Sequence, residues 1–221
     1  ADCFDNFDKD INCRCIVLCS DGKHFCAGAN FGKDRDMQDK AEPYSELYTQ
    51  AVRLFKNKKP VIAAVQGGAI GGGLGLSLVA DFRIGCPESR FSANFSRLGF
   101  HQGFGTTVTL PRVVGPQNAA MMMLTGRRLK GQEAFDVGLI DYLVPLNEVR
   151  SKAIELAEEI SESGPLAVQS IRATIRAGLA EQVEEIVSWE LSEQVRLQST
   201  KDFKEGIKAS LERRKPKFEG S

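Results

Sequence analysis

The sequence predicts an α/β fold followed by a helical C-terminal region, and two observations support this prediction. Strongly apolar segments, typical of buried strands, alternate with helical patterns through residues 1–145. Continuous apolar strands of this kind are typical of a mostly parallel sheet that is covered on both faces. From 146 to 221 the pattern changes to successive amphipathic helices. We therefore expect an α/β core at 1–145 and a helical region at 146–221.

Strands and helices are predicted in alternation along the core. The predicted strands are 14–22, 60–73 (which runs into a glycine loop), 81–86 and 138–145. The predicted helices are 42–57, 73–80, 116–125 and 131–137. No strand is expected before residue 10, and we expect that part of the natural N-terminus is absent from this chain.

The C-terminal region shows four amphipathic stretches separated by helix-breaking residues. They are 147–163, 165–178, 180–199 and 201–214, with breaks at Gly164–Pro165 and Gly178. Four successive helices are therefore predicted after residue 146.

Composition argues against several classes of partner. The 221 residues include 29 Lys and Arg against 29 Asp and Glu, so the formal net charge is zero. A neutral chain has no overall field to steer nucleic acid or an anionic membrane surface. No apolar run approaches the roughly 20 residues that span a bilayer, and no signal-peptide pattern opens the chain. We expect a soluble, cytoplasmic protein with neither nucleic-acid nor membrane partners.

Six cysteines are unevenly distributed, with five of them in the first 26 residues. Such clustering is a poor match to a disulfide framework. A zinc site of Cys13, Cys15, Cys19 and His24 is conceivable, but no CxxC pair with a matching second pair is present. We predict buried, reduced thiols that act as small hydrophobic residues, and no metal. His24 itself is expected to be structural.

Two strand ends are unusually rich in small residues. One is FCAGAN at 25–30, and the other is the glycine loop GGAIGGGLG at 67–75. A tight strand-to-helix turn would explain the loop alone, and no Lys-Ser/Thr follows it as in a phosphate-binding P-loop. Two such strand ends could instead aim two backbone N–H groups at one carbonyl oxygen, because the first N–H groups of a helix are unpaired. That arrangement is an oxyanion hole.

Five segments in order along the chain resemble landmarks of the crotonase family, the enoyl-CoA hydratase/isomerase superfamily. They are HFCAGAN, KPVIAAVQGGAIGGGLGLSLVADFRI, LPRVVG, LTGRRLKGQEAFDVGLIDYLVP and KEGIKASLERRKPKF. The resemblance extends from about residue 10 to 219. It implies a spiral of βα units with a C-terminal helical trimerisation region, assembled as a homotrimer or as a hexamer of two trimers.

The resemblance also implies an acyl-CoA thioester substrate and assigns residues to it. The N–H groups of Ala29 and Gly72 would hold an enolate oxygen. Ala27, Asn30 and Arg213 would bind the coenzyme A moiety, with Ala27 at the adenine and Arg213 at a phosphate. No cofactor is expected beyond the coenzyme A of the substrate.

At the catalytic positions the sequence departs from the family. The two glutamates that activate water in the family's hydratases correspond here to Gly75 and Phe95, neither of which ionises. Hydration is therefore not expected. His101 and Gln102 are the candidates to handle a proton and to orient a substrate group, although a loop histidine is more often a surface residue. One acidic residue of 31–48 is an alternative, namely Asp34, Asp36, Asp39 or Glu42.

Three functional hypotheses remain at this point. The first is an enzyme that isomerises, decarboxylates or cleaves a C–C bond of an acyl-CoA, which requires enolate stabilisation and one proton source. The alternative is a non-catalytic CoA-binding trimeric scaffold. A serine-type triad is disfavoured because only two histidines are present. In the first hypothesis an apolar acyl tunnel is expected from one or two of the four aromatic residues Phe91, Phe95, Phe100 and Phe104.

Overall fold

The structure, a computed structural model, describes residues 1–29 and 41–221, with the side chains of 41–45 left undescribed. Its helices are α1 Asp2–Lys9, α2 Ala41–Phe55, α3 Gly72–Ser77, α4 Thr106–Thr125, α5 Gly131–Asp136, α6 Val149–Ser161, α7 Pro165–Ile175, α8 Leu179–Gln198 and α9 Lys201–Leu211. Its strands are β1 Ile16–Leu18, β2 Val61–Val65, β3 Gly68–Ile70, β4 Phe82–Gly85, β5 Arg90–Ser92, β6 Arg128–Lys130 and β7 Tyr142–Leu143. Short 3₁₀ helices cover Asn94–Leu98 and Leu146–Glu148.

Two sheets form the core of the described chain. The larger has the order β1-β2-β4-β7 with all pairs parallel. All five residues of β2 are buried, which agrees with its unbroken apolar sequence. The smaller sheet has the order β3-β5-β6, in which β5 pairs parallel to β3 and antiparallel to β6. The predicted α/β class with a mainly parallel sheet is confirmed.

Several boundaries differ from those predicted. The predicted strand 60–73 is two strands, because the chain turns between them at Gly67, where φ is 65°. The predicted helix 116–125 is the second half of α4, which begins at Thr106 and has a non-helical residue at Gly115. The strand predicted at 138–145 is reduced to Tyr142–Leu143. Neither β5 nor β6 was predicted, since strands of three residues show no usable periodicity.

All four predicted C-terminal helices are present as α6 to α9. Val149, Ala153 and Leu156 of α6 pack with Ile62 of β2 and Ile84 of β4. Helix α8 packs on α2 and α4, and α9 packs on the 3₁₀ helix at Asn94–Leu98. Helices α8 and α9 therefore support loops of the α/β part. The division at 145/146 into two regions stays a prediction.

An ionic cluster fastens α7 to the end of β2. Asp81 accepts hydrogen bonds from the Val61 N–H at 2.8 Å, from Arg172 Nε at 2.8 Å and from Arg176 Nη1 at 3.0 Å. The Arg172 and Asp81 side chains are only 8% and 16% exposed. Removing one member of such a buried cluster leaves charge unpaired, which makes the cluster a structural tie between α7 and the larger sheet.

The prediction that the cysteines are buried is wrong for two of them. All six are free thiols, but only Cys86 is fully buried, and Cys3 and Cys19 are exposed. Strand β1 ends at Leu18, so Cys19 lies outside the buried strand. The Cys19 Sγ instead accepts a hydrogen bond from Arg150 at 3.3 Å.

Two further findings concern the described residues. None of the helices that the structure describes combines the length and apolarity needed to cross a bilayer. Within the same residues, no cluster of three or more His, Cys, Asp or Glu side chains has the arrangement of a metal site.

Candidate active site

The two small-residue segments meet at one cavity of about 560 Å³. Backbone hydrogen bonds bring them together: the Cys26 N–H donates to the Gly68 carbonyl at 2.9 Å, and the Ile70 N–H donates to the Cys26 carbonyl at 3.0 Å. Ala27 and Ala29 from the first segment and Gly72 from the second line the cavity. Of the other predicted residues, Asn30 lies outside the described residues.

Close approach of the two backbones explains why the second segment consists of glycines. A Cβ atom placed on Gly73 would lie 2.0 Å from the Cys26 carbonyl oxygen and 2.8 Å from its carbonyl carbon. Neither atom can move without breaking the pairing of the two segments. Glycine is therefore required at 73 for the first segment to reach the start of α3.

The backbone N–H of Gly72 has no partner within the part of the chain that the structure describes. Gly72 is the first residue of α3, so its N–H has no partner within the helix. No acceptor for this N–H is found among residues 1–29 and 41–221. The nearest neighbour of a Cβ at this position would be Phe104 Cδ2, at 4.0 Å. Gly72 lines the cavity, so this donor lies beside it, at the positive end of a short helix.

The position expected to carry the first catalytic acid is closed by an aromatic ring. A Cβ atom on Gly75 would lie 2.6 Å from Phe104 Cβ and 2.7 Å from Phe104 Cδ1. The second position, Phe95, is 7% exposed, lines the cavity and packs edge-on against Phe100 at 5.5 Å between ring centroids. Phe91 is completely buried in the core. Phe95 and Phe104 thus make this end of the cavity mainly aromatic, and Asn94, whose Oδ1 lies next to Gly71, is a polar side chain that also lines it.

The backbone of Phe104 has an unusual conformation, with φ at 65°. For a bulky residue this left-handed conformation is costly, by about 1–3 kcal/mol, and persists only where its surroundings enforce it. The enforcing group is Glu190 of α8, which is fully buried. Its carboxylate accepts from the Gly105 N–H at 2.8 Å, the Thr107 N–H at 3.0 Å and the Thr107 hydroxyl at 2.6 Å. Glu190 therefore also caps the start of α4.

A second residue of α8 holds the same loop on the other side of Phe104. Gln194, 1% exposed, donates from Nε2 to the His101 carbonyl at 2.9 Å and accepts from the Tyr48 hydroxyl at 2.6 Å. Gly103 passes so close that a Cβ there would lie 1.9 Å from Tyr48 Oη and 2.6 Å from Gln194 Nε2. Glu190 and Gln194 thus fix the loop before and after Phe104.

Burial raises the pKa of Glu190 above its ordinary value, while the hydrogen bonds from Thr107 and Gly105 and the charge of His101 act in the opposite direction. The raised pKa means that the folded protein binds a proton at Glu190 more tightly than the unfolded chain does. Stability from this group is thus fully present below the unfolded pKa and decreases as the pH rises through the folded one.

Charged residues gather at the opposite end of β3. Lys23, His24, Glu88 and Arg90 line the cavity there, and Arg90 pairs with Gly68 across the sheet. The Gly68 N–H donates to His24 Nδ1 at 3.0 Å, which leaves Nε2 as the protonated nitrogen of the neutral ring. Most of the charged residues that line the cavity therefore lie near Gly68 and most of the aromatic ones at α3, while Arg128, opposite Ser92 in the smaller sheet, also lines it.

Three predicted site residues do not line this cavity in the described structure. His101 is half-buried, and its Nδ1 lies 2.8 Å from the Gln102 carbonyl oxygen. Gln102 donates to the Thr107 hydroxyl at 3.1 Å. Arg213 is exposed, three residues beyond the cavity-lining Ser210.

The roles predicted for His101, Gln102 and Arg213 stay predictions, as do those of Ala29, Gly72 and Ala27. Asp34, Asp36, Asp39 and the Glu42 side chain lie outside the description.

Sequence reasoning missed Tyr48, Glu190 and Gln194, although α8 carries a signal for two of them. Val183 and Val187 form an apolar stripe along this helix, and both are buried. Glu190 and Gln194 continue the stripe at helical spacing of three and four residues. A polar residue at a core position of an amphipathic helix predicts a buried hydrogen-bonding role.

Replacing Gly75 with alanine is expected to destabilise the protein by about 1–3 kcal/mol, the usual cost of overpacking a core. The added methyl group meets the Cβ and ring of Phe104, which the loop holds in place. Chemical denaturation of G75A, F104G and the double variant measures the free energy of coupling between positions 75 and 104. Because Phe104→Gly removes the clash, G75A should cost much less in that background. If G75A destabilises the wild type and F104G by the same free energy, the methyl group at position 75 does not meet Phe104.

Comparisons with known proteins all identify relatives from one family. The family model described as enoyl-CoA hydratase/isomerase matches residues 1–221. A crotonyl-CoA hydratase from Syntrophomonas wolfei is 35% identical, over 92% of this chain and 79% of its own length. An enoyl-CoA isomerase/hydratase from Mycosarcoma maydis is 33% identical, over 94% and 77% respectively. The crystal structure of an enoyl-CoA hydratase/isomerase from Pseudoalteromonas atlantica matches with a TM-score of 0.86 at 25% identity, over 99% of this chain and 86% of that one.

Proposed function

This chain belongs to the enoyl-CoA hydratase/isomerase family, and we propose that it converts an acyl-CoA thioester by stabilising a thioester enolate with the N–H groups of Ala29 and Gly72. The observation that carries this proposal is the Gly72 N–H, which begins a helix beside a cavity that Ala29 also lines and has no acceptor among residues 1–29 and 41–221. A donor held in this way is already oriented when charge develops on the thioester oxygen.

Water addition is the reaction that the cavity supports least. Glu88 is the carboxylate that lines it among the described residues, and Glu88 lies on the side of Gly68 and Arg90. At the α3 end, Gly75 and Phe95 provide no proton donor or acceptor. We therefore propose isomerisation, decarboxylation or C–C cleavage, each of which needs an enolate and one proton source.

His101 and Gln102 remain our proposed proton-handling and orienting residues. They lie on the loop that carries the cavity-lining Phe104, so a change of side-chain rotamer, with the loop backbone held in place, is the step that this role requires. We propose that Ala27, Asn30 and Arg213 bind the coenzyme A moiety, whose phosphates suit the exposed guanidinium of Arg213.

We also propose that the chain forms a homotrimer or a dimer of trimers through its C-terminal helices. Large apolar side chains are exposed there, including Leu166 (80%), Ile175 (71%) and Trp189 (63%). Exposed apolar groups of this size on adjacent helices are typical of a surface that a partner covers.

Exchange of α-hydrogen for deuterium in butyryl-CoA, followed by mass spectrometry, tests the enolate directly. We expect exchange that depends on the protein, together with slow or undetectable hydration of crotonyl-CoA. Hydration at the rate of ordinary hydratases would overturn our account of the missing acids. Binding of acyl-CoA without exchange or turnover would favour the non-catalytic scaffold. In that case His101→Ala should change nothing, whereas in an enzyme it should reduce exchange.

A further inference from the structure

The ring of Phe104 borders the first turn of α3 from Gly72 to Gly75. A Cβ on Gly72 would lie 4.0 Å from Phe104 Cδ2, and one on Gly75 would lie within 2.8 Å of Phe104 Cβ, Cγ and Cδ1. The ring therefore lies beside the turn whose first N–H is proposed to hold the thioester oxygen. An acyl chain extending from that oxygen along α3 would meet the ring first.

The ring is not free to move aside. Its backbone is held in the left-handed region by Glu190, which bonds the residues after it, and by Gln194, which bonds His101 before it. Both side chains are at most 1% exposed, so they are firmly packed. The hydrogen bonds of Glu190 and Gln194 thus hold Phe104 in a strained backbone conformation that fixes the position of its ring.

Other apolar side chains complete this end of the cavity. Phe95, Leu98 and Phe100 line it together with Phe104, and each is 6–7% exposed. The charged residues that line the cavity near Gly68 lie at the other end of β3. A ligand that fits this gradient has a polar, charged part and a short apolar part.

We infer that Phe104 determines acyl-chain selectivity, by closing the acyl end of the cavity so that thioesters of short, apolar acyl groups are bound and longer chains are excluded. This inference rests on the proposed function and names the substrate class of the same site. The residue acts by steric exclusion, and Glu190 and Gln194 act through it as positioning residues.

Calorimetric titration of saturated acyl-CoAs tests the inference without knowledge of the reaction. The wild type should bind butyryl-CoA more tightly than octanoyl-CoA. Phe104→Gly removes the ring, and glycine adopts the left-handed conformation without strain. In this variant the ratio of the two affinities should shift toward octanoyl-CoA by about tenfold or more, since each additional buried methylene is worth about fourfold in affinity.

Phe203→Ala is the matched control, because Phe203 is also a buried phenylalanine (3% exposed) and packs on Phe100 at 5.2 Å, but does not line the cavity. Its affinity ratio should equal that of the wild type. Thermal unfolding of each variant verifies folding, and Phe104→Leu provides a milder truncation with a shift in the same direction.

Three results would overturn the inference. An unchanged ratio in both Phe104 variants would refute the selectivity role while leaving the proposed function intact, because acyl-CoA would still bind. An equal shift in Phe203→Ala would attribute the effect to general loosening of the core. Failure of the wild type to bind any acyl-CoA would refute the proposed function together with this inference.

Discussion

Replacing Gly72 with proline is expected to reduce α-hydrogen exchange of butyryl-CoA by about 10²–10³-fold, the usual effect of losing one oxyanion-hole donor. Proline has no N–H, and the first residue of a helix is the position where proline is tolerated, since that N–H has no helical partner. Gly72 is the first residue of α3. The substitution therefore removes the proposed donor while α3 retains its own hydrogen bonds.

Gly72→Ala is the comparison that separates loss of the donor from the added bulk. It retains the N–H, and its methyl group meets no atom closer than 4.0 Å. Any decrease in the exchange rate of Gly72→Ala measures the effect of the methyl group. The further decrease in the exchange rate of Gly72→Pro measures the effect of losing the N–H. If the proline variant is folded and exchanges as fast as the alanine variant, the Gly72 N–H is not part of an oxyanion hole.

The parts of this site that could be predicted from sequence are those encoded by local pattern. Small residues at 27–29 and 71–73 predicted that these two strand ends serve one site, and both line the same cavity. The apolar run at 61–65 predicted a buried strand, and amphipathic periodicity predicted the four C-terminal helices. Each of these features depends on neighbours within a few residues along the chain.

The parts that could not be predicted depend on contacts between distant residues. Nothing near Gly75 in the sequence indicates that Phe104 covers it, because the contact depends on how the loop before α4 is held. The holding residue, Glu190, is 85 residues beyond Gly105. Glutamate in an amphipathic helix is usually solvated, and the exception is recognised only once the loop is seen to present unpaired N–H groups to it.

This long-range dependence makes α8 part of the site even though no residue of α8 is proposed to take part in the chemistry. Gln194 lines the cavity, and through Tyr48 it connects α2 to the loop of His101. Loss of these contacts would release the strain at Phe104 and change the shape of the acyl end. Stability and substrate selectivity should therefore change together in variants of α8.

Glu190→Ala is the variant in which this connection should be strongest. It leaves the Gly105 and Thr107 N–H groups without their acceptor in a buried environment, and each such group costs about 1–3 kcal/mol. We expect a loss of about 3 kcal/mol or more in the free energy of unfolding, which for a chain of this size corresponds to a decrease in Tm of about 6–12 °C.

Glu193→Ala is the matched control for Glu190→Ala, because Glu193 is also a glutamate of α8 and lies three residues after Glu190. Glu193 pairs with Arg196 at the surface, where solvent screens the pair and its contribution to stability is small. In thermal unfolding, the Tm of Glu190→Ala should therefore be well below that of Glu193→Ala and that of the wild type. Because Glu190 holds Phe104 against Gly75, the loss of Glu190 should also shift acyl-CoA affinity toward longer chains. A variant destabilised to the expected extent but with unchanged chain-length preference would show that Phe104 is held by its own packing and not by α8.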